Sequence, residues 1–165
     1  MTNHSDNLSH TRHFILALDP GKTTGFCRGE WNGDKGILVL SPGEQQFTAE
    51  TMMGFLHDNW QKNFTLIYEG FSYRNAARPG LDLTPVELIG VIKLFCQSEK
   101  VTHYEQTPAV GKGYWTDEQL KRFQVYVAGL RHGRDAMRHL LHWWQFKAGY
   151  KYHEISPFTN YEVLL

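Results

Sequence analysis

The stretch FILALDPG, residues 14–21, decides the fold of this chain. Five consecutive apolar residues followed by the turn signal Asp-Pro-Gly predict a short buried strand that ends at Asp19. Two further strands are predicted at residues 26–31 and 36–40, because the sequence NGD between them is typical of a tight turn. The chain therefore opens with three strands of an antiparallel meander.

Beyond the meander, predicted helices alternate with strands. The pattern predicts a helix over 48–60, a buried strand over 65–68, a helix over 84–98, a strand over 101–104, a loop over 106–114, a helical stretch that starts at 116–118, and a helix over 132–147. Together with the meander, this order predicts one α/β unit, a mixed five-stranded sheet with flanking helices.

The length of 165 residues suits one domain, and we expect it to span residues 13–165 after a flexible, polar N-terminal segment, 1–12. Neither a signal peptide nor an apolar run long enough to cross a bilayer is present, so a cytoplasmic location without membrane contact is expected. Cys27 and Cys96 lie far apart and lack a metal-binding spacing, which predicts reduced structural thiols rather than a zinc finger.

The charge is balanced overall but unevenly distributed. A net charge of zero and a pI near 7.1 argue against a protein that coats nucleic acid through bulk charge. Residues 1–69 carry five Lys or Arg against eight Asp or Glu, whereas residues 100–154 carry nine against five. An acidic metal pocket beside a basic substrate track would produce this asymmetry, and so would scattered solvated charges.

Three acids stand at positions where chemistry is expected. Asp19 and Glu69 each follow a predicted buried strand, and functional groups of α/β sheets collect at strand ends. Acids in such places can also simply cap turns. In the last helix, the apolar residues fill one side, while Asp135 shares the other side with three histidines, His132, His139 and His142. An ordinary amphipathic helix with a polar outer surface is the alternative there.

Three carboxylates that converge from separate elements repel one another unless a cation lies between them. Oxygen ligands suit Mg²⁺ or Mn²⁺. Two such ions, about 4 Å apart, can activate water and stabilise the leaving oxygen of a phosphodiester. A zinc site built on His139 and His142 is the weaker alternative, because no nearby cysteine completes it. Metal-dependent phosphodiester hydrolysis is therefore the predicted reaction.

These residues resemble a known family, the RuvC-type Holliday junction resolvases of the RNase H-like superfamily, and in particular the divergent versions that bacteriophages carry. DPGKTTG at residues 19–25 resembles the first-strand motif, and IYEGF at 67–71 resembles the fourth-strand motif with its metal-binding Glu. HGRDA at 132–136 is similar to the last-helix motif, in which His or Asp precedes the final metal-binding Asp by three positions.

The resemblance implies an RNase H-like fold and a Mg²⁺- or Mn²⁺-dependent endonuclease that resolves four-way DNA junctions as a homodimer. It implies that Asp19, Glu69 and Asp135 bind the metal and that His132 assists at the metal or at the scissile phosphate. It further implies DNA contacts by five residues: Lys112 at a phosphate, and Phe71, Tyr73, Arg74 and Arg78 near the junction centre. For the aromatic residues of this loop, packing back into the core is the alternative. His132 stands where many members have a fourth acid, which leaves the number of metal ions open.

Three alternative interpretations of the sequence compete with this one. The loop at 19–25 also resembles the phosphate-binding turn of sugar kinases and actin-like ATPases, but their two-domain architecture exceeds 165 residues. A non-catalytic RNase H-like module that binds nucleic acid or protein is a second alternative, and a nuclease for other branched DNA or for RNA is a third.

Overall fold

The fold is known from a computed structural model that describes residues 12–71, 80, 82–149 and 155–156. Its elements are, in chain order, β1 (Arg12–Asp19), β2 (Thr24–Asn32), β3 (Ile37–Gln45), α1 (Ala49–Asn59), β4 (Phe64–Glu69), α2 (Thr84–Ser98), β5 (Thr102–Gln106), α3 (Pro108–Tyr114), α4 (Asp117–Arg122) and α5 (Arg131–Phe146). β1 begins at Arg12, the last residue of the predicted flexible segment, and the rest of that segment lies outside the described residues.

The five strands form one mixed sheet in the order β3-β2-β1-β4-β5. β1, β2 and β3 pair antiparallel, as the meander predicts, whereas β4 pairs parallel with both β1 and β5. In the parallel pair, Leu18 lies opposite Tyr68, so the next residue of each strand, Asp19 and Glu69, stands at the same edge of the sheet. The predicted mixed five-stranded α/β sheet is confirmed.

Strand alternation divides the core into two layers, one on each face of the sheet. On the first, Ile15 and Ala17 of β1 and Ile67 of β4 pack beneath α5. On the second, Leu16 and Leu18 pack with the buried side chains of α1 and α2. Asp19 and Glu69 follow in the alternation of the first face, and their side chains therefore belong to the side that α5 covers.

The N-terminal end of α5 lies directly on the strand ends of β2 and β3. A Cβ atom added at Gly25 would stand 1.9 Å from the carbonyl oxygen of His132, so only glycine permits this approach. The N-cap residue of α5 provides no side-chain hydrogen bond. Instead the Glu44 carboxylate of β3 accepts from the backbone N–H groups of His132, at 2.6 Å, and Gly133, at 3.2 Å. A distant strand thus caps this helix.

The predicted loop at residues 106–114 is wrong, because residues 108–114 form the helix α3. Gly111 and Gly113 weaken the helical signal in the sequence. In the fold, however, Gly111 is buried against α5, where an added Cβ would lie 3.2 Å from Cβ of Arg138. Packing on α5 therefore outweighs the low intrinsic propensity, and Lys112 lies on a helix rather than in a loop.

The other predicted elements are present, with shifted ends. β3, for example, continues to Gln45, five residues beyond the predicted end. Both cysteines are free and buried, as predicted, and burial raises the pKa of the Cys27 thiol to about 12. Within the described part of the chain, no helix is long and apolar enough to span a membrane.

Candidate active site

The predicted acids come from three different elements and lie at one edge of the sheet. Asp19 ends β1, Glu69 ends β4, and Asp135 lies in the second turn of α5, which crosses the face above them. Asp19 is 8% exposed and Asp135 is 4% exposed. Carboxylates buried to this extent require compensating partners. α5 provides one for each acid.

Asp19 is held by His132, whose Nδ1 donates to Oδ2 of the carboxylate at 3.1 Å. Burial raises the pKa of Asp19, and the negative charge of Glu69 raises it further. Asp135 acts in the same direction, whereas the hydrogen bond from His132 lowers the pKa. The three acids therefore share one electrostatic environment, in which burial and the charges of Glu69 and Asp135 together disfavour the ionised form of Asp19.

Asp135 lies between two cations. Nζ of Lys112 is 3.0 Å from Oδ2, and Nη1 of Arg138 donates to Oδ1. Arg138 also donates to Asp117 and, from Nε, to the backbone carbonyl of Trp115 at 2.7 Å. Partial burial disfavours charged Lys112, but the hydrogen bond and charge of Asp135 outweigh that effect, so the pKa of Lys112 is raised. Lys112, predicted to contact phosphate, reaches the acid cluster itself.

Glu69 is hydrogen bonded to His139, which the sequence pattern did not assign to the group of acids. Nε2 of His139 lies 2.8 Å from Oε2 of Glu69, and the imidazole is fully buried. The sequence offered a signal, because His139 follows Asp135 by one helical turn on the same side of α5. His142, the other half of the zinc alternative, instead contacts the rings of Tyr114 and Phe146.

The donor chemistry of the cluster fits a hard divalent cation. In the residues that the structure describes, no three Asp, Glu, His or Cys side chains are close enough to hold a metal ion as placed. Asp19, Glu69 and Asp135 nevertheless supply only carboxylate oxygens, which Mg²⁺ and Mn²⁺ prefer. Burial and, after it, the negative charges of Glu69 and Asp135 raise the pKa of Asp19, and a bound cation would offset both effects.

A cavity of about 250 Å³ opens beside Glu69. Phe71, half-buried, lines it, and the other walls come from the ends of β1 and β4 and from the first turns of α2 and α3. Phe71 also packs against the core beneath α1 and α2. The predicted DNA contacts Tyr73, Arg74 and Arg78 fall outside the described residues, so their role stays a prediction.

Comparison with solved structures identifies the fold. T. thermophilus RuvC in complex with a Holliday junction substrate aligns with a TM-score of 0.57 at 14% identity, over 82% of this chain and 96% of that one. A second Thermus thermophilus RuvC structure aligns at 0.55 and 16%, over 78% and 92%. The yeast mitochondrial Holliday junction resolvase Ydc2 aligns at 0.55 and 14%, over 87% and 82%.

No protein-family model matches the chain, and no curated protein matches it by sequence. The similarity to RuvC and Ydc2 therefore shows the fold, which is RNase H-like as the resemblance implied. The roles of the individual site residues rest on their geometry.

Proposed function

We propose that this protein is a divalent-metal-dependent endonuclease that cuts DNA, with four-way junctions as its preferred substrate. One observation carries the proposal: Asp19, Glu69 and Asp135, from three elements of an RNase H-like fold, share one electrostatic environment with Lys112 beside them. Removing several acids from water costs free energy, because each one then requires its own partner. A protein with only a structural or binding role gains nothing from such a cluster.

In this proposal, Asp19, Glu69 and Asp135 hold Mg²⁺ or Mn²⁺, and His132 assists by fixing Asp19. When bound, the ion would activate water and stabilise the leaving oxygen of the phosphodiester. Lys112 has a separate role. Its half-exposed side chain can exchange its bond to Asp135 for a phosphate oxygen, which would place the backbone of the DNA against the acids.

A preference for four-way junctions over other DNA substrates is the second part of the proposal. RuvC of T. thermophilus, which shares this fold, is bound to a Holliday junction substrate in its solved structure. In this chain, Phe71 beside the cavity at Glu69 is suited to stacking against an unpaired base, and we propose that Tyr73, Arg74 and Arg78 extend that contact. Lys and Arg outnumber acids in residues 100–154, which favours a DNA track on that side.

Symmetric cutting of a junction requires two active sites related by a two-fold axis, so we propose a homodimer. The predicted interface is the segment 86–95 of α2. Leu94 there is 58% exposed, and Leu83 just before the helix is 53% exposed, so α2 carries apolar surface outside the core. Light scattering of the protein at micromolar concentration, alone and with junction DNA, should report a dimer. A monomer under both conditions contradicts this part.

The experiment that tests the activity is a cleavage assay across junction, fork, duplex and RNA:DNA substrates, each with Mg²⁺, Mn²⁺ or chelator. We expect paired, symmetric cuts in the junction that require metal. If no substrate is cut with either metal, the nuclease proposal is wrong. Equal cutting of duplex and junction would keep the nuclease and remove the junction preference, whereas preferred cutting of RNA:DNA would point to an RNA-processing enzyme.

A further inference from the structure

His139 differs from the other histidines that the structure describes in being completely buried, and its ring faces an acid of the site. Its Nε2 lies 2.8 Å from Oε2 of Glu69. An ionised carboxylate can only accept hydrogen bonds, so Nε2–H is the donor. A buried donor aimed at one oxygen of Glu69 restricts how that side chain can turn.

The ring itself is held in place by Gln106, the last residue of β5. Nδ1 of His139 is hydrogen bonded to Oε1 of Gln106 at 2.8 Å, and Nε2 of Gln106 donates to the backbone carbonyl of His139 at 3.3 Å. Glu69 and Gln106 are also paired directly across β4 and β5. The three residues therefore interlock two strands and α5, and the imidazole cannot rotate without breaking this arrangement.

The other two acids have the same kind of partner on the same helix. His132 donates to one oxygen of Asp19, and Arg138 donates to one oxygen of Asp135. α5 thus places one donor against each acid. Of these three donors, only His139 is fully buried.

We propose that His139 is the positioning residue of Glu69, holding one carboxylate oxygen so that the other is presented to the divalent cation. This inference rests on the proposed metal-dependent nuclease site. A glutamate side chain with three rotatable bonds loses conformational entropy when it is ordered around an ion, and a preset hydrogen bond removes part of that loss beforehand. Partners of this kind typically contribute about 10–100-fold to metal affinity or activity.

Two substitutions at this position separate positioning from packing. His139→Gln can keep an amide N–H near the place of Nε2, whereas His139→Asn can keep one only near Nδ1, toward Gln106. We expect His139→Gln to bind Mn²⁺ within about threefold of the parent and His139→Asn to bind it about 10–100-fold more weakly. His142→Asn, three residues along the same helix among the rings of Tyr114 and Phe146, is the matched control and should leave binding unchanged.

The measurement is a Mn²⁺ titration of the full chain without DNA, followed by the electron paramagnetic resonance signal of free Mn²⁺, with thermal melting of each variant. Cleavage assays in parallel should show a raised Mn²⁺ requirement for His139→Asn with an unchanged KM for DNA. Parental Mn²⁺ affinity in folded His139→Asn, or equal losses in His139→Asn and His139→Gln, would overturn the positioning role.

Measurements on the parent protein distinguish a failure of the positioning role from a failure of the proposed nuclease function. If the parent neither binds Mn²⁺ nor cuts DNA, the nuclease proposal fails and this inference fails with it. If the parent binds and cuts but folded His139→Asn does so equally well, only the positioning role fails. Should His139→Asn not fold, Gln106→Leu removes the brace and leaves the histidine, and we expect about 3–10-fold weaker Mn²⁺ binding. Unchanged binding in folded Gln106→Leu then overturns the role.

Discussion

The two faces of the sheet are built from the same strands, yet the side chains that cover them differ in kind. The face beneath α1 and α2 is covered by apolar side chains such as Leu56 and Ile92, and no described residue of those two helices buries a charged side chain. The face beneath α5 contains a core of similar size, but α5 also buries Asp135 and His139 above the strand ends. One face therefore stabilises the sheet, while the other both stabilises it and carries the candidate site.

If this division is correct, substitutions on the two faces should fail in different ways. A change in the acid cluster should abolish activity in a folded protein. A change under α1 and α2 should lower stability and leave the activity of the folded fraction unchanged. The following predictions test that contrast, from the largest expected effect to the smallest.

Asp135→Asn should have the largest effect, on activity alone. It removes one ligand charge, while the amide oxygen can still accept from Arg138, which keeps its bonds to Asp117 and Trp115. Metal-dependent cleavage should fall by about three orders of magnitude or more, because the ion is weakened or misplaced. Junction affinity in Ca²⁺ or chelator should remain. A folded variant, verified by thermal melting, that cuts at the parental rate would exclude Asp135 as a metal ligand.

Leu56→Ala should show the opposite behaviour. Leu56 is fully buried in the layer under α1 and α2, and the cavity left by its truncation should lower the free energy of unfolding by about 2–5 kcal/mol. Cleavage per folded molecule should stay at the parental level. Urea denaturation and a cleavage assay at low temperature measure the two quantities. A loss of cleavage in fully folded Leu56→Ala would mean that this face also shapes the site.

Gly25→Ala should lower both the stability of the fold and the rate of cleavage, because residue 25 lies where α5 meets the sheet. The added Cβ collides with the backbone of His132 and pushes the start of α5 away from Asp19. We expect the free energy of unfolding to fall by about 1–3 kcal/mol, and cleavage of the folded protein to fall as well. Gly54→Ala in α1, where a Cβ meets open space, is the control and should stabilise by about 0.5–1 kcal/mol. Parental activity in Gly25→Ala would show that the docking of α5 tolerates displacement.

The smallest effect is a pH dependence of stability on the α5 face. Burial lowers the pKa of His13, whose ring stacks on Trp143 and whose Nδ1 is buried without a hydrogen-bond partner. The unfolded chain therefore binds a proton near pH 6.5 that the folded chain binds only at lower pH, so stability should fall as the pH drops below about 6.5. One proton accounts for at most about 1.4 kcal/mol per pH unit.

His13→Phe keeps the stacking ring and removes the titrating group, so it should flatten this slope. Urea denaturation of both proteins between pH 5 and 7 measures the difference. Identical slopes would assign the dependence to other groups, His142 first among them, because burial lowers its pKa as well.

The sequence predicts what depends on local pattern and misses what depends on distant partners. Apolar runs identify β1 and β4 and place Asp19 and Glu69 at their ends, and the parallel pairing in the fold brings the two acids to one edge of the sheet. The helix α3 was missed because its glycines lower propensity, and packing on α5 becomes visible only in the fold.

Sequence patterns also do not identify the partners of the acids, because those partners lie far away along the chain. Glu44 accepts a hydrogen bond from the backbone N–H of His132, 88 residues later, and His139 contacts an acid 70 residues earlier. Periodicity assigns Asp135 and His139 to the polar side of α5 but does not reveal that this side is turned partly inward, over the strand ends.

The docking of α5 also determines when, during folding, the site comes into existence. The β1–β3 meander closes through short loops, whereas the contact between Asp19 and His132 joins residues 113 positions apart. Such long-range contacts form late, because the entropy of closing a large loop must be overcome first. During synthesis, Asp19 and Glu69 leave the ribosome long before Asp135 and its helix. A nascent chain that has already built its sheet therefore has no complete acid cluster, and the proposed nuclease can act only once α5 is in place.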